Sequence, residues 1–355
     1  MEMWLDHMQQ ALDGDEDAVL ITVAHVRGST PREVGAHMVV TSSRVLGTIG
    51  GGNLEYRAID QAREMLIDHD HRPMFQDYPL GPALGQCCGG VASLMFEPLD
   101  NGSREWIDLH TQALKAGEKA ISVVSLNQGG RRLMKPSEGV TALIPAEVRA
   151  QAEDILQAAE PAGRYLEGGD GASYFLEPLL DDRTPLYLFG AGHVGHALVR
   201  LLAELPFKVH WVDSRAEQFD EFSGMHSGNM RVVVAADPVS VVTEAPKGAF
   251  YLVMTHDHGL DLEICAAILA RGDFNYAGLI GSDTKRARFE RRLKARGIKD
   301  ITINNLVCPI GVDGISGKRP AEVALATAAQ LQIVRERILA GHREYSCDTI
   351  GEFTE

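Results

Sequence analysis

Two adjacent cysteines stand in a glycine-rich segment whose composition predicts a loop. Residues 80–90 read LGPALGQCCGG, so that Cys87 and Cys88 are followed directly by Gly89 and Gly90. A thiolate is a nucleophile and a ligand for soft metals, and glycine neighbours keep it accessible. The alternative is that both thiols are buried as small apolar side chains. The loop composition favours a functional pair. A zinc site is the weaker interpretation, because the chain has no Cys-x₂-Cys pair.

A run of three glycines marks a second segment suited to bind a ligand. Gly50, Gly51 and Gly52 lie between a predicted strand at 45–49 and a predicted helix at 54–67. Glycine adopts positive φ at little cost, so the backbone can wrap an anion or a flat ligand beside the helix N-terminus. The alternative is a turn that needs only flexibility. We assign to this binding loop Gly50, Gly51, Gly52, Asn53 and Glu55.

The second half of the chain carries a dinucleotide-type fingerprint. Gly190, Gly192 and Gly195 form a Gly-x-Gly-x-x-Gly motif directly after the apolar run LYLF and before a predicted helix. Asp213 ends the next predicted strand, 23 residues after Gly190, where a ribose-binding acid is expected. Arg215 would admit a 2′-phosphate, so NADP is an alternative to NAD. A third alternative is a domain that keeps these glycines for folding alone.

Two further loops are predicted at strand ends in the same half. Thr255 and His256 follow one predicted strand, and Gly281 and Ser282 follow another. In an open α/β sheet the carboxyl ends of the strands face the ligand crevice. A metal site at His256 and His258 is the weaker alternative, because no third ligand is evident. The predicted nucleotide site consists of Gly190, Gly192, His193, Gly195, Asp213, Thr255, His256, Gly281 and Ser282.

The two halves of the chain differ in how their elements alternate. A segment with two prolines and three acids, residues 177–185, is typical of a domain linker. After it, strands and helices alternate regularly, which predicts a parallel sheet covered by helices. We expect an α/β protein with an N-terminal α/β domain of mixed sheet over 1–180. We expect it to be followed by a C-terminal Rossmann-like domain, a doubly wound parallel sheet over 181–345, and by an acidic tail over 346–355.

Composition excludes several classes of protein. The 355 residues carry 34 Lys and Arg against 49 Asp and Glu, for a formal net charge of −15. That charge argues against a nucleic-acid binder, which must neutralise phosphates. The sequence shows no apolar run of membrane-spanning length, no signal-peptide pattern, and only five cysteines. We therefore expect a cytoplasmic protein with neither a nucleic-acid nor a membrane partner.

One local exception to the acidic balance is a basic run. Residues 285–299 contain eight Lys and Arg against a single acid, Glu290. We expect a solvated helix face that pairs with acids elsewhere in the chain. A partner-docking or phosphate-binding role is the less favoured alternative.

The ordered motifs of the chain resemble the XdhC/CoxI family, the accessory proteins of xanthine dehydrogenase and related molybdenum hydroxylases. In chain order they are GSTPREVGAHMVV, GTIGGGNLE, LGQCCGG, LFGAGHVG, WVDSR, VMTHDH, GLIGSDTKR and CPIGVDGISGKRPAEVALATAAQL, spanning residues 28–331. The Gln-Cys-Cys-Gly-Gly form resembles the xanthine dehydrogenase branch. Asn53 stands where many relatives carry another residue, often cysteine, which leaves Cys87 and Cys88 as the better candidates for a sulfur contact.

The resemblance implies a chaperone rather than an enzyme. Such proteins bind the molybdenum cofactor (molybdopterin) as cargo and protect it during sulfuration by a cysteine desulfurase. They then help to insert it into apo xanthine dehydrogenase, and they are generally homodimers. On this resemblance Cys87 or Cys88 contacts molybdenum, while Arg32 and the glycine loop bind the anionic and pterin parts, because guanidinium makes bidentate contacts. The alternative for Arg32 is a surface salt bridge.

A different class of function rests on the glycine fingerprint alone. An NAD(P)-dependent oxidoreductase would use the site around Gly190, but no catalytic pair of a dehydrogenase motif is evident in the sequence. Saturable binding of NAD(H) or NADP(H) would distinguish this alternative from the chaperone.

Overall fold

A computed structural model of the chain describes most of its residues. These are residues 3–14, 16–69, 72–81, 89–126, 130–136, 144–158, 161–169, 171–179, 181, 183–222 and 229–341. Cys87, Cys88 and the tail 346–355 lie outside the described residues. The polypeptide divides into two compact units, Met1–Asp181 (the N-terminal unit) and Asp182–Glu355 (the C-terminal unit).

The first sheet of the N-terminal unit has five strands in the order β3-β2-β1-β5-β4. Its central strand β1 pairs antiparallel with both neighbours, and its β-branched and aliphatic residues suit a strand buried on both faces. The strands are β1 (Ala18–Arg27), β2 (His37–Thr41), β3 (Val45–Gly47), β4 (Met74–Pro79) and β5 (Val91–Leu99).

The second sheet of this unit has four strands in the order β7-β6-β9-β8, again with every pair antiparallel. The strands are β6 (Ala120–Ser125), β7 (Arg131–Met134), β8 (Arg164–Glu167) and β9 (Ser173–Leu179). The N-terminal strands therefore form two antiparallel sheets instead of the mixed sheet expected. Parallel neighbours require a long crossover connection. Among the described strands of this unit, every neighbouring pair is antiparallel, so no such crossover joins two neighbours.

Four helices pack on these two sheets. The helices are α1 (Met3–Asp13), α2 (Gly52–Ile67), α3 (Arg104–Lys115) and α4 (Ala146–Gln157), and a short 3₁₀ turn, Asn101–Ser103, precedes α3. In α2 the buried residues Leu54, Ala58 and Ala62 recur every four positions, so they share the face that packs on the first sheet. Residues of α1 and α3 form a second core with β1, and α4 packs on the second sheet.

The C-terminal unit is a doubly wound parallel sheet, which confirms the predicted fold class. Six strands lie in the order β12-β11-β10-β13-β14-β15, and every pair is parallel. One core, around Trp211, includes α5 and α10, and the other includes α6, α7 and α8. The strands are β10 (Thr184–Phe189), β11 (Phe207–Asp213), β12 (Met230–Val234), β13 (Phe250–Val253), β14 (Tyr276–Leu279) and β15 (Leu306–Val307).

The helices of this unit follow the strands in alternation. They are α5 (His193–Leu202), α6 (Pro238–Glu244), α7 (His258–Arg271), α8 (Asp283–Ala295), α9 (Asp300–Ile303) and α10 (Pro320–Leu339), with a 3₁₀ segment at Ala216–Phe222. Within the described ranges, no helix combines the length and the apolar character needed to cross a bilayer.

The linker expected at 177–185 is largely occupied by strands. β9 runs to Leu179 and β10 begins at Thr184. Prolines are tolerated here because Pro178 lies near the end of β9 and Pro185 is the second residue of β10. The boundary between the two units, at 181/182, lies within this segment, and the strands on either side take up most of it.

Candidate functional site

Two of the predicted binding loops meet in the N-terminal unit. A Cβ built on Gly90 would collide with the carbonyl oxygens of Ser29 and Arg27, and one built on Gly28 would lie 3.1 Å from the Gly90 Cα. Gly28 also has a φ of 72°, in the left-handed region. Glycine is thus required for the close approach of the segment that ends in Gly90 to the turn after β1. Gly90 follows Cys87 and Cys88 in the sequence.

The glycine run meets the same turn from another side. A Cβ on Gly50 would lie 2.5 Å from the Pro31 Cβ and 3.2 Å from the Arg32 Cγ, and the φ of Gly50 is 118°. Arg32 donates to Glu33 at 3.1 Å, with 38% of its side chain exposed. The surface salt bridge considered for Arg32 is therefore present, but its partner is an exposed neighbour, and such pairs contribute only about 0–1 kcal/mol. Arg32 remains able to turn toward a ligand.

Two backbone donors of the glycine run, the N–H groups of Gly50 and Gly51, are used within the chain. The Oε2 of Glu55 accepts hydrogen bonds from the Gly51 N–H at 3.0 Å, the Ile49 N–H at 3.1 Å and the Thr48 hydroxyl at 2.5 Å. Glu55 thus occupies the position that was predicted for a ligand anion, and it acts as an anionic cap at the start of α2. Asn53, in the first turn of that helix, and Gly52 remain candidate ligand contacts.

The glycine fingerprint of the C-terminal unit folds as a dinucleotide-type turn. A Cβ on Gly190 would collide with the Met254 carbonyl oxygen, and one on Gly195 would collide with the Gly190 carbonyl oxygen. The same Gly190 oxygen accepts a hydrogen bond from the Trp211 indole at 3.1 Å. Gly192 caps α5 with open space around its Cα, and His193 is exposed in the first turn. The turn therefore presents a helix N-terminus at the carboxyl edge of the sheet.

Asp213 ends β11 beside this turn, but its carboxylate is already fully used. Its Oδ2 accepts from the Ala191 N–H and the Arg215 Nη2, and its Oδ1 accepts from the Arg215 N–H and Nε, all at 2.8–3.0 Å. A carboxylate offers about four acceptor positions, so none is left for a ribose diol. Burial raises the pKa of Asp213, but the hydrogen bonds from Arg215 and Ala191 outweigh it and hold that pKa below its usual range.

The loops after β13 and β14 are joined by a buried ion pair. The Asp261 carboxylate accepts from the Thr255 hydroxyl at 2.7 Å and the Thr255 N–H at 3.0 Å. The Lys285 ammonium bonds the other Asp261 oxygen at 2.7 Å and the Ile280 carbonyl at 2.8 Å. Asp261 is fully buried and Lys285 is nearly so. The pair therefore positions Thr255 at the carboxyl edge of the sheet.

The other predicted residues of this edge divide by exposure. His256 is exposed, and Ser282 caps α8 by accepting from the Lys285 N–H at 3.4 Å. A Cβ on Gly281 would press on the Lys285 side chain, so this glycine makes room for the lysine. His258 contacts the Arg288 guanidinium at 2.9 Å. Among the described residues no group of three or more His, Cys, Asp or Glu side chains forms a metal site.

Among the described residues, four of the eight Lys and Arg side chains at 285–299 contact a carboxylate of their own unit, Lys285 being one of them. Arg286 contacts Glu290 at 2.5 Å, Lys294 contacts Asp300 at 2.9 Å, and Arg296 contacts Glu263 at 2.5 Å. This is the interpretation favoured from sequence, a helix face that pairs with acids of the same unit.

Sequence reasoning missed a buried charged cluster in the N-terminal unit. Arg131 of β7 is fully buried and bonds Glu97 of β5 at 2.8 Å and Glu177 of β9 at 2.5 Å. His37 of β2 lies 2.7 Å from Glu177, and its ring stacks on Trp4 of α1 at 4.5 Å. The cluster joins both sheets and α1. Arg131 is 34 positions from Glu97 and 46 from Glu177, and His37 is 140 from Glu177, so no local motif signals the cluster.

The comparisons with known proteins cover both units. Residues 186–331 match a family model described as the XdhC Rossmann domain, and residues 11–79 match one described as the XdhC and CoxI family. A Bacillus subtilis (strain 168) protein, named as a probable xanthine dehydrogenase subunit, is 24% identical over 335 residues, covering 92% of this chain and 96% of the relative. A crystal structure of a xanthine dehydrogenase from Bacillus halodurans has a TM-score of 0.67 at 23% identity.

That structural match covers 94% of this chain and 96% of the other, and it shows the shared fold. The two family models match separate parts of one chain, in the order that the motifs predicted. Both units of the chain are thus similar to the XdhC and CoxI family, which the ordered motifs also resemble.

Proposed function

We propose that the protein carries the molybdenum cofactor as cargo, protects it during sulfuration, and assists its insertion into apo xanthine dehydrogenase. The observation that carries the proposal is the contact of Gly90 with the backbone of Arg27 and Ser29. It joins the end of the paired-cysteine segment to the turn that holds Arg32. This contact supports the proposal because Cys87 and Cys88, whose thiolates suit a soft metal, precede Gly89 and Gly90 directly in the sequence, and Arg32 suits an anion.

The parts of this proposal that concern other molecules follow from the similarity to this family. An accessory protein of xanthine dehydrogenase is expected to meet the dehydrogenase, and sulfuration requires a cysteine desulfurase as donor of sulfur. We propose both as partners. We further propose a cytoplasmic homodimer that acts as a carrier and does not catalyse a reaction.

The test is the cargo content of protein purified from a host with an intact molybdenum pathway. Molybdenum is measured by elemental analysis and pterin by the fluorescence of its oxidised form. We expect near-stoichiometric pterin in the wild type and its loss in the double variant Cys87→Ala/Cys88→Ala, with a Cys347→Ala variant as the control for loss of a thiol elsewhere. Full pterin retention in the double variant would exclude the thiolate role.

The second candidate function is an NAD(P)-dependent oxidoreductase. The close approach of Gly190 to Met254 and the open helix N-terminus at Gly192 favour a nucleotide at this edge. The internal pairing of Asp213 with Arg215 weighs against it. Wild-type protein that lacks pterin but retains a nicotinamide or adenine nucleotide would reverse the order of these two proposals.

A further inference from the structure

The first sheet carries a row of polar residues at the end of β1. His25 of β1 lies directly opposite Ser93 of β5, and Ser93 lies directly opposite Asp77 of β4. Residues directly opposite in a sheet share a face, so His25, Ser93 and Asp77 form one row across three strands. The Ser93 hydroxyl donates to Asp77 Oδ1 at 2.6 Å, and Arg27 donates to Asp77 Oδ2 at 3.1 Å.

A β-bulge puts His25 in this row. Val23 is opposite Leu94, and His25 is opposite the adjacent residue Ser93, so the register shifts by one position between them. Adjacent residues of β5 point to opposite faces of the sheet, so Leu94 and Ser93 lie on different faces. Val23 therefore lies on the face that packs against α2, and His25 lies on the other face. Bulges are frequent beside functional sites because they redirect a side chain. The bulge therefore exposes an imidazole where the regular strand would bury it.

Aromatic side chains border the polar row. Phe75 of β4 belongs to the next row on the same face, opposite Met95. Its ring stacks on Tyr165 of β8, with centroids 5.1 Å apart and planes 12° apart, and Tyr165 lies 6.3 Å from the His25 ring. Phe75 and Tyr165 are each half-buried. The result is a π surface beside a carboxylate.

Within the part of the chain that the structure describes, the Asp77 carboxylate has acceptor positions left. Each of its oxygens accepts one hydrogen bond, from Ser93 or from Arg27, whereas each carboxylate oxygen can accept about two. Half of its side chain is exposed, and Arg27 beside it is 61% exposed. A carboxylate with two adjacent free acceptors matches a ring edge with two adjacent N–H donors, as in an aminopyrimidinone. The exposed guanidinium is suited to an anionic substituent on that ring.

We propose that the His25–Ser93–Asp77 row, with Arg27, Phe75 and Tyr165, binds the aminopyrimidinone ring of a pterin. The proposal rests on the proposed function, in which the cargo contains such a ring. Arg27 leads into Gly28, and its carbonyl oxygen lies against Gly90, so the ring site adjoins the loop that ends the paired-cysteine segment. The ring stacks on the Phe75–Tyr165 pair, and Asp77 accepts its two N–H groups.

The experiment uses free 6-carboxypterin, whose fluorescence reports binding to the full-length protein. We expect saturable binding that weakens roughly tenfold or more in Asp77→Asn, because a hydrogen bond to a charged group is lost. Asp108→Asn, an exposed acid on α3, is the matched control and leaves the affinity unchanged. Phe75→Leu keeps an apolar side chain without the π surface and also weakens binding. If Asp77→Asn lowers the thermal unfolding midpoint, the affinity of Phe75→Leu for 6-carboxypterin tests the site instead.

Ring specificity gives a readout that a purely structural role would not change. Lumazine-6-carboxylate carries a carbonyl in place of the 2-amino group. It therefore presents one N–H donor and one carbonyl acceptor to Asp77, whereas the pterin presents two N–H donors. We expect wild type to bind it roughly tenfold more weakly than 6-carboxypterin, and Asp77→Asn to remove that difference. GMP has the same aminopyrimidinone edge, and its relative affinity distinguishes a guanine from a pterin source. Equal affinity for pterin and lumazine, or an Asp77→Asn variant with wild-type affinity, would overturn the proposal.

The two proposals can fail separately. If Asp77→Asn retains wild-type amounts of copurified pterin and wild-type affinity for the free ring, this inference fails while the cargo proposal stands. If wild-type protein contains no copurified pterin but binds the free ring through Asp77, the cargo proposal fails and the ring site stands.

Discussion

Three carboxylates show that the residue type alone does not decide a binding role. Glu55 is used as a cap of its own glycine turn, Asp213 is fully paired with Arg215 and Ala191, and Asp77 keeps free acceptor positions. Sequence reasoning assigned ligand roles to Glu55 and Asp213 and none to Asp77. The difference lies in how many donors the fold brings to each carboxylate, which depends on residues outside the motif.

Removal of Arg215 is predicted to open the ribose position of Asp213. In Arg215→Ala two of the four hydrogen bonds to the carboxylate are lost, so a ribose diol no longer has to displace a guanidinium. We expect the affinity for NAD⁺ to rise roughly fivefold, because a partly exposed ion pair such as Asp213–Arg215 contributes about 1 kcal/mol. Isothermal titration calorimetry measures it, with Arg200→Ala on α5 as the control for loss of an exposed arginine.

The opposite response is also informative for this residue. A loss of affinity for NADP⁺ in Arg215→Ala would assign the guanidinium to a 2′-phosphate and contradict the prediction. If wild type and both arginine variants bind neither nucleotide, the glycine fingerprint of this chain serves folding alone.

At the scale of elements, the loops of the N-terminal unit are held together by glycine. Gly90→Ala places a methyl group against the carbonyl oxygens of Ser29 and Arg27, so the two segments must separate. We expect a destabilisation of about 1–3 kcal/mol and loss of copurified pterin. Gly89→Ala is the matched control, because a Cβ there meets no atom within 4 Å. The thermal unfolding midpoint and the pterin content are measured together for both variants.

This pair of neighbouring glycines separates a local effect from a general one. If Gly89→Ala and Gly90→Ala lose pterin equally, the contact between the loops is not what holds the cargo. If Gly90→Ala is destabilised but keeps its pterin, the contact is structural and the proposed cargo site lies elsewhere.

The elements of the C-terminal unit were predictable, whereas several of the N-terminal unit were not. Strands β10 to β14 and their helices follow from apolar runs and helical periodicity that local sequence contains. β4, β7 and β8, which lie at sheet edges where polar residues are tolerated, were missed. β9 was missed as well, because its last residues belong to the segment assigned to a linker. The segment with Pro178 and Pro185 resembled a linker, yet two different sheets use it.

At the scale of the whole molecule, buried titratable groups make stability depend on pH. His110 of α3 is fully buried, with its Nε2 3.0 Å from the Ser122 hydroxyl. Burial and the nearby Arg131 lower the pKa of His110 to about 4. Burial alone would raise the pKa of Glu177, but His37 and Arg131 lower it to about 2. Both groups take up protons more readily in the unfolded chain, so both make the folded protein sensitive to acid.

We predict that the stability of the N-terminal unit declines in two steps as the pH falls. The His110 contribution is complete above its unfolded pKa of about 6.5 and is lost between pH 6.5 and 4, at a cost of roughly 3 kcal/mol. The Glu177 contribution is lost below pH 4.5. In His110→Gln the first step is removed, while His69→Asn, which replaces an exposed histidine, keeps it.

Urea unfolding at pH 7, 5.5 and 4 measures this dependence. Hydrogen exchange of peptides covering α3 and β6 reports the same change locally, independent of the C-terminal unit. A wild-type unfolding free energy that stays constant from pH 6.5 to 4 would contradict the assignment of a neutral buried imidazole.

Sequence by itself determined the class of the C-terminal fold, the glycine fingerprint and the resemblance to the XdhC and CoxI family. These depend on residues within a few positions of one another, or on ordered motifs that need no coordinates. Only the tertiary structure decided which polar groups are already used and which share a face. Arg131 and Glu177 are 46 positions apart and Arg27 and Asp77 are 50, and sheet register alone sets such contacts. Without the shift of one residue at the bulge before His25, this side chain would share the buried face of Val23.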